Sequence, residues 1–135
     1  MRNHWLVYLF ILNIFFTASY AKSHHPQDFL KKIEGTPNEG EQIYKHFCSN
    51  CHAKNPLIKV GAPKIGDSND WSMRLKQGIN SLYEHTDQGF NAMPARGGCF
   101  ECSDKQLFMA ILYMMPKDAQ KGLIKKLSDH KKDGN

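Results

Sequence analysis

Apolar residues along most of the chain recur three and four positions apart, the spacing of helices buried on one face. Ile43 and Phe47, with Tyr44 beside them, form one such face, and Trp71, Leu75 and Ile79 form a second. Leu82 and Tyr83 mark a third, and Leu107, Phe108, Ile111, Leu112 and Met115 a fourth. Strand-type alternation is nowhere sustained, so the pattern predicts an all-α fold. The boundaries carry their own signals. Thr36-Pro37-Asn38-Glu39 reads as a helix start with Asn38 as cap, and Glu39 and Glu41 suit the positive end of the helix dipole. Asp67-Ser68-Asn69-Asp70 opens the Trp71 helix, Gly78 breaks it, Asn80 or Ser81 starts the next, and Gly89 ends that one. Ser103 with Gln106 spells a capping box, and Pro116 closes the last strong helix. Ala53–Asp67 and Phe90–Cys102 read as loops. Gly40 inside a first turn costs about 1 kcal/mol relative to Ala, which predicts a close approach by another helix.

The two ends of the chain follow other rules. Arg2, the apolar run Trp5 to Phe16 and the small residues of Ser19-Tyr20-Ala21 predict a secretory signal over residues 1–21, cut after Ala21. The run is shorter than the ~20 residues of a spanning helix, so an uncleaved anchor is the secondary reading and the only route to membrane contact. Residues 22–35 are polar and predict a linker or a short helix around Asp28–Ile33, with His24 and His25 in solvent. Residues 36–116 form the domain. Residues 117–135 form a lysine-rich tail in which Leu123, Ile124 and Leu127 allow one short amphipathic helix. Eighteen basic against 13 acidic residues give a formal charge of +5 without a basic block interleaved with aromatics, which argues against nucleic acid. The lysines read either as ordinary solvated surface or as a docking face for an acidic protein.

Composition alone leaves one fact to explain: four cysteines in two pairs of equal spacing, Cys48/Cys51 and Cys99/Cys102. The first pair stands in Cys48-Ser49-Asn50-Cys51-His52, the attachment signature of a c-type haem. Two thiols one helical turn apart match the two vinyl groups of the porphyrin, and the next side chain brings a neutral imidazole under the iron. Half of a zinc site, or a redox dithiol, would use the same Cys-x-x-Cys but leave His52 unexplained. About 80 residues of short helices make a thin core, which a buried porphyrin would complete. For the sixth iron ligand, Met93 stands apart. It lies in a Gly- and Pro-bounded loop stiffened by Pro94, whereas Met73, Met109, Met114 and Met115 fall in helical patterns and read as core filling. His85 and His46 are its rivals.

Several separate motifs resemble one family. Gly40-Glu41-Gln42-Ile43-Tyr44 through His52, Gly61-Ala62-Pro63-Lys64-Ile65-Gly66-Asp67, Met93-Pro94-Ala95-Arg96-Gly97-Gly98-Cys99, Cys102-Ser103-Asp104 and Ala110-Ile111-Leu112-Tyr113-Met114 are similar to the cytochrome c5 family of small bacterial class I cytochromes c. The resemblance spans about Thr36 to Met115. It implies a small class I cytochrome c fold around one haem c attached through Cys48 and Cys51, with His52 and Met93 axial. It further implies a Pro63 carbonyl hydrogen-bonded to His52, and Gly40 and Tyr44 crossing Tyr113 where two helices pack. A Cys99–Cys102 disulfide is implied too. An oxidising compartment and the turn-forming Gly97 and Gly98 favour that bond over a redox-active dithiol. Ala95 departs from the family, which often has a second Pro there. The implied function is a periplasmic one-electron carrier of a respiratory chain, not an enzyme. Its donor would be of the quinol-oxidising kind, and its acceptor a terminal oxidase or reductase. A zinc module built on all four cysteines, or a haem sensor or enzyme with a labile sixth ligand, are the alternatives.

Overall fold

The computed structural model describes residues 25–133, with side chains described as far as Lys125. The signal segment, its cleavage site and His24 lie outside the described residues. Helix α1 spans Pro26–Ile33. Helix α2 spans Glu39–Ile43 and runs without a break through a π-helical turn, Tyr44–Cys48, into the short α3, Ser49–His52. After a loop come α4, Ser68–Leu75, and α5, Ile79–Gln88. A 3-10 turn, Ala95–Gly98, precedes α6, Asp104–Met114, and α7 spans Lys117–Asp133. Among the described residues the β-type pairing is confined to the single bridge Phe90–Met93, so the fold is all-α.

The most extensive helix pair is α2 against α6. Gly40 makes it possible: a Cβ at that position would lie 2.3 Å from the Met109 carbonyl oxygen. The predicted close approach is therefore real, but the contact is with the backbone of Met109. Tyr113 meets Tyr44 one turn further on, with ring centroids 5.4 Å apart. Two apolar clusters flank the crossing. One gathers Leu30, Ile33, Ile43, Leu107, Ala110 and the second cysteine pair, and the other gathers Tyr44, Trp71, Leu82, Ile111, Met114 and Met115.

Several boundaries differ from expectation for local reasons. The segment expected as linker or short helix begins its helix at Pro26, a favoured first-turn residue, and buries Leu30 and Ile33 in the core. Asn38 occupies the cap position of α2 without capping. Its Oδ1 accepts from Gln42 Nε2, while the buried Glu39 carboxylate accepts from the Gly35 amide. The helix expected to break at Gly78 already stops at Leu75, and the next one opens at Ile79, just ahead of the expected Asn80 or Ser81, after Gly78 at φ 87°. Met73 is not core filling. It is 65% exposed and stands at the open edge of the cavity that the buried Trp71 also lines. The tail is one 17-residue helix that starts directly after Pro116. It is anchored because Met115 and Pro116 are buried and Gln120 Nε2 donates to the Met115 carbonyl at 2.7 Å. The Ser103 capping box forms as read, with Gln106 also donating to the Leu30 carbonyl and so joining α6 to α1.

Gly40→Ala gains about 1 kcal/mol of helix propensity but forces the two helices apart, and overpacking costs about 1–3 kcal/mol or more. Net destabilisation of about 2 kcal/mol is expected in denaturant titrations followed by circular dichroism. Ser103→Ala, which only removes a cap, is expected to cost about 1 kcal/mol by the same measurement.

Candidate functional site

Between the α2–α3 helix, the Pro63 loop, α4, α5 and the Met93 loop lies a cavity of about 570 Å³. That is within the usual range of cofactor sites. Its walls are apolar for the most part, from Phe47, Trp71, Leu82, Ile111 and Met114, with a polar edge at Arg74 and Gln77. Cys48, Cys51, His52, Pro63 and Met93 all line it. The five residues singled out from the sequence are thus brought to one place.

His52 is buried at the end of α3, and its Nδ1 lies 2.8 Å from the Pro63 carbonyl oxygen. With Nδ1–H donating to that carbonyl, Nε2 keeps its lone pair. Burial pushes the imidazole pKa down. The Pro63 bond opposes this, and the charge of Arg74 adds to the lowering, so the ring is held neutral, as a metal ligand requires. The Pro63 carbonyl is itself well placed because its neighbours are tied on every side. The Lys64 amide donates to Asp70, the Trp71 indole donates to the Lys64 carbonyl at 2.9 Å, and the Ile65 amide donates to the His52 carbonyl at 2.7 Å. The Gly66 amide reaches the Met114 carbonyl at 2.9 Å. Asp67 caps α4 through the Asn69 and Asp70 amides and so fixes the far end of the loop.

The π-helical turn places Cys48 where burial, and then the neighbouring Cys51, push its thiol up to about 12. A thiol so far from ionising is the opposite of a redox-active dithiol. Cys48 and Cys51 are both free, while Cys99 and Cys102 are joined by a disulfide with Cα atoms 5.4 Å apart. The second pair is thereby consumed, and a four-cysteine zinc centre has no ligand set. Among the described residues no group of three or more His, Cys, Asp or Glu is placed to hold a metal.

Met93 sits half-buried at the end of a tight turn. Its amide donates to the Phe90 carbonyl at 2.9 Å and its carbonyl accepts from the Phe90 amide at 3.1 Å, with Asn91 at φ 55° between them. Gly89 is required here, since a Cβ would come within 2.9 Å of the Met93 carbonyl oxygen and the Ala95 amide. Of the two rivals, His46 is exposed, packs edge-on against Phe29 with centroids 4.0 Å apart, and is not on the cavity wall. His85 does line the cavity, with its ring stacked on Phe90 at 4.1 Å. Sequence reasoning missed Arg74 and Gln77, whose only signal was a helix face continuing from Trp71. It also missed Arg96, whose guanidinium pairs with Asp87 and Asp104. Hydrogen bonds from Arg96 and then Tyr83 hold the Asp104 carboxyl below its usual range.

The residues fit a covalently held haem: two free thiols one turn apart, a neutral imidazole behind them, apolar walls and a thioether on the loop. Comparison with known proteins agrees. The family model described as cytochrome c oxidase, cbb3-type, subunit III matches residues 35–114. Cytochrome c5 of Azotobacter vinelandii is 38% identical over 79 residues, covering 57% of this chain and 92% of that protein. Cytochrome c5 of Ectopseudomonas mendocina is 39% identical over 82 residues, covering 59% and 91%. Cytochrome c-555 of Chlorobaculum tepidum is 35% identical over 80 residues, covering 56% and 71%. A solved chain from an electron transfer complex of nitrite reductase with cytochrome c is 36% identical with a TM-score of 0.52, and the match covers 61% of this chain and 94% of that one. Fold, cavity and relatives converge: the chain belongs to the class I c-type cytochromes, resembles cytochrome c5 among them, and carries one haem c covalently attached through a cysteine pair.

Proposed function

We propose that this protein is an exported, periplasmic one-electron carrier of a respiratory chain, holding its haem through Cys48 and Cys51 with His52 and Met93 as axial ligands. The observation that carries this reading is the meeting of a neutral His52, the free Cys48/Cys51 pair and Met93 on the walls of one apolar cavity. When bound, the haem supplies an iron that takes up and releases one electron. The protein's residues do the rest. Pro63 orients His52 by accepting its Nδ1–H. Trp71, Leu82 and Ile111 exclude water, and Arg74 with Gln77 offers the polar edge that suits the carboxylates of the group. Were His52 and Met93 both to hold the iron, no position would be left for a substrate, which favours a carrier over an enzyme or sensor. Export is supported by the Cys99–Cys102 disulfide, a bond that persists in oxidising compartments. Among the described residues no helix is long and apolar enough to cross a membrane.

The partners are a donor of the quinol-oxidising kind and an acceptor such as a terminal oxidase or reductase. The surface supports such docking. A groove lined by the exposed Lys54, Lys59 and Lys64 shares Cys51, Val60, Gly61 and Ala62 with the main cavity, so it opens at its rim. Beside it Leu57 is 85% exposed. An apolar centre with a basic border suits brief encounters with acidic-rimmed proteins.

Two experiments test this. An optical redox titration of purified protein, with intact mass, is expected to show one haem added covalently. Met93→Ala is expected to keep the haem bound and lower the midpoint potential by roughly 0.1 V or more, within the ≈ 0.8 V that axial ligands span. An unchanged potential and an unchanged sulfur-to-iron charge-transfer absorption would remove Met93 from the assignment. For the rim, the triple charge reversal of Lys54, Lys59 and Lys64 to Glu is expected to slow reduction of hexacyanoferrate(III), an anionic oxidant, about tenfold at low salt. It is expected to speed oxidation by a cationic cobalt complex, and both effects should fade as salt rises. Rates unchanged from wild type with both oxidants would mean electrons leave by another face.

A further inference from the structure

We propose that Arg96 is a positioning residue for Met93: its guanidinium is a latch that keeps the Met93 loop closed over the cavity. The inference rests on the reading of Met93 as axial ligand given above. Arg96 follows Met93 by three residues, inside the 3-10 turn Ala95–Gly98. Its backbone is left-handed, at φ 56° and ψ 19°. A side chain other than glycine is disfavoured there, by about 1 kcal/mol or more, and Gly97 and Gly98 beside it share positive φ without that penalty. A bulky cation at the one non-glycine position of this left-handed run points to side-chain bonds that hold it.

Those bonds reach three segments. One guanidinium nitrogen pairs with the Asp87 carboxylate in the last turn of α5. The other donates to the Cys102 carbonyl at 2.6 Å and to the Asp104 carboxylate at 3.1 Å. The chain leaves α5, turns through Phe90–Met93, and at Arg96 is bonded back to the helix it left. Among the described residues no other hydrogen bond joins the Ala95–Gly98 turn to α5. The Arg96 and Asp87 side chains are 21% and 38% exposed, whereas Asp104 is 78% exposed, so the Asp87 arm carries more of the latch. The Cys99–Cys102 disulfide fixes the carbonyl that receives the third bond. Only a planar fork can serve acceptors in these different directions, so lysine is not an equivalent.

The turn that Arg96 holds is also the wall behind the ligand. A Cβ at Gly97 would lie 3.7 Å from Met93 Cε, so the methionine side chain rests against the latched turn. An external ligand can reach the iron only when this turn swings away, and its apparent affinity scales with the fraction of molecules that are open. Removing the latch raises that fraction.

The test is imidazole binding to ferric holoprotein, read from the haem absorption, together with the sulfur-to-iron charge-transfer absorption and the melting temperature. Arg96→Gln is expected to bind imidazole about tenfold more tightly than wild type, the factor that corresponds to 1.4 kcal/mol. Asp87→Asn removes one arm and is expected to shift affinity the same way by a smaller factor; it serves alone if Arg96→Gln fails to fold. Arg96→Lys is expected to restore only part of the wild-type resistance. Leu30→Ala, which thins the core under α1, is the control and is expected to lower the melting temperature with imidazole affinity unchanged. Wild-type affinity in both Arg96→Gln and Asp87→Asn would overturn the latch, as would an equal rise in Leu30→Ala at the same loss of melting temperature. Failure of the Met93 reading looks different, since the charge-transfer absorption would then be missing from wild type or would survive in Met93→Ala.

Discussion

The close crossing of α2 and α6 is the constraint on which the rest of the structure hangs. Gly40 lets the backbone at Met109 approach to a distance that any side chain would block, and Tyr44 and Tyr113 continue the seam one turn later. The two helices are also the roots of the two arms that close the cavity. The chain that passes Gly40 runs on to Cys48, Cys51 and His52. The chain that enters α6 has just left the Met93 loop and the disulfide. A shift at the crossing would therefore move the imidazole wall and the thioether wall relative to each other. In a protein whose helices are short and whose core is split into two clusters, no other contact has this reach.

The two arms are held by different chemistry. On the histidine side the loop from Pro63 to Gly66 is tied mainly by its own backbone, with Asp70, Trp71, His52 and Met114 supplying the partners. Most of these bonds join uncharged groups, backbone to backbone or the Trp71 indole to the Lys64 carbonyl, and are little affected by salt; the exposed Lys64 amide–Asp70 bond is the charged one. On the methionine side the turn is held by one tight backbone pairing at Phe90, a disulfide and a charged cluster centred on Arg96. Charged bonds near the surface are weaker and screened, so this arm is the softer of the two. The two walls of the cavity therefore differ: the Pro63 side rests mostly on uncharged bonds, and the Met93 side on charged contacts around Arg96.

Around the rim, charge and shape meet the needs of transient encounter. Lys54, Lys59 and Lys64 border a groove continuous with the cavity, and Leu57 stands in solvent beside it. Polarity there contrasts with the apolar inner walls of the cavity.

Sequence alone determined the chemistry. Two thiols and an imidazole at fixed spacing point to a haem, and the helix start read at Asp67–Asp70 and the capping box at Ser103 stand where two helices begin. These signals are local, so a linear reading captures them. The resemblance to cytochrome c5 added the Pro63–His52 contact, which no local rule supplies, and the Cys99–Cys102 bond, which the neighbouring glycines also favour. What only the tertiary structure decided lies between segments. Met73 was read as core because α4 has a helical period, but which side of α4 faces inward depends on Trp71 meeting Lys64 and the second cluster. Asn38 has the right chemistry for a cap, yet its Oδ1 accepts from the Gln42 side chain instead, while Glu39 folds back to the Gly35 amide ahead of the helix. The basic tail becomes a helix docked at its root because Gln120 and Ala119 find partners on the end of α6. Arg96 stood in the sequence only as part of the motif after Met93. Its bonds exist because α5, the disulfide turn and α6 converge on one guanidinium, and convergence of distant segments is a property of the fold that no stretch of sequence contains.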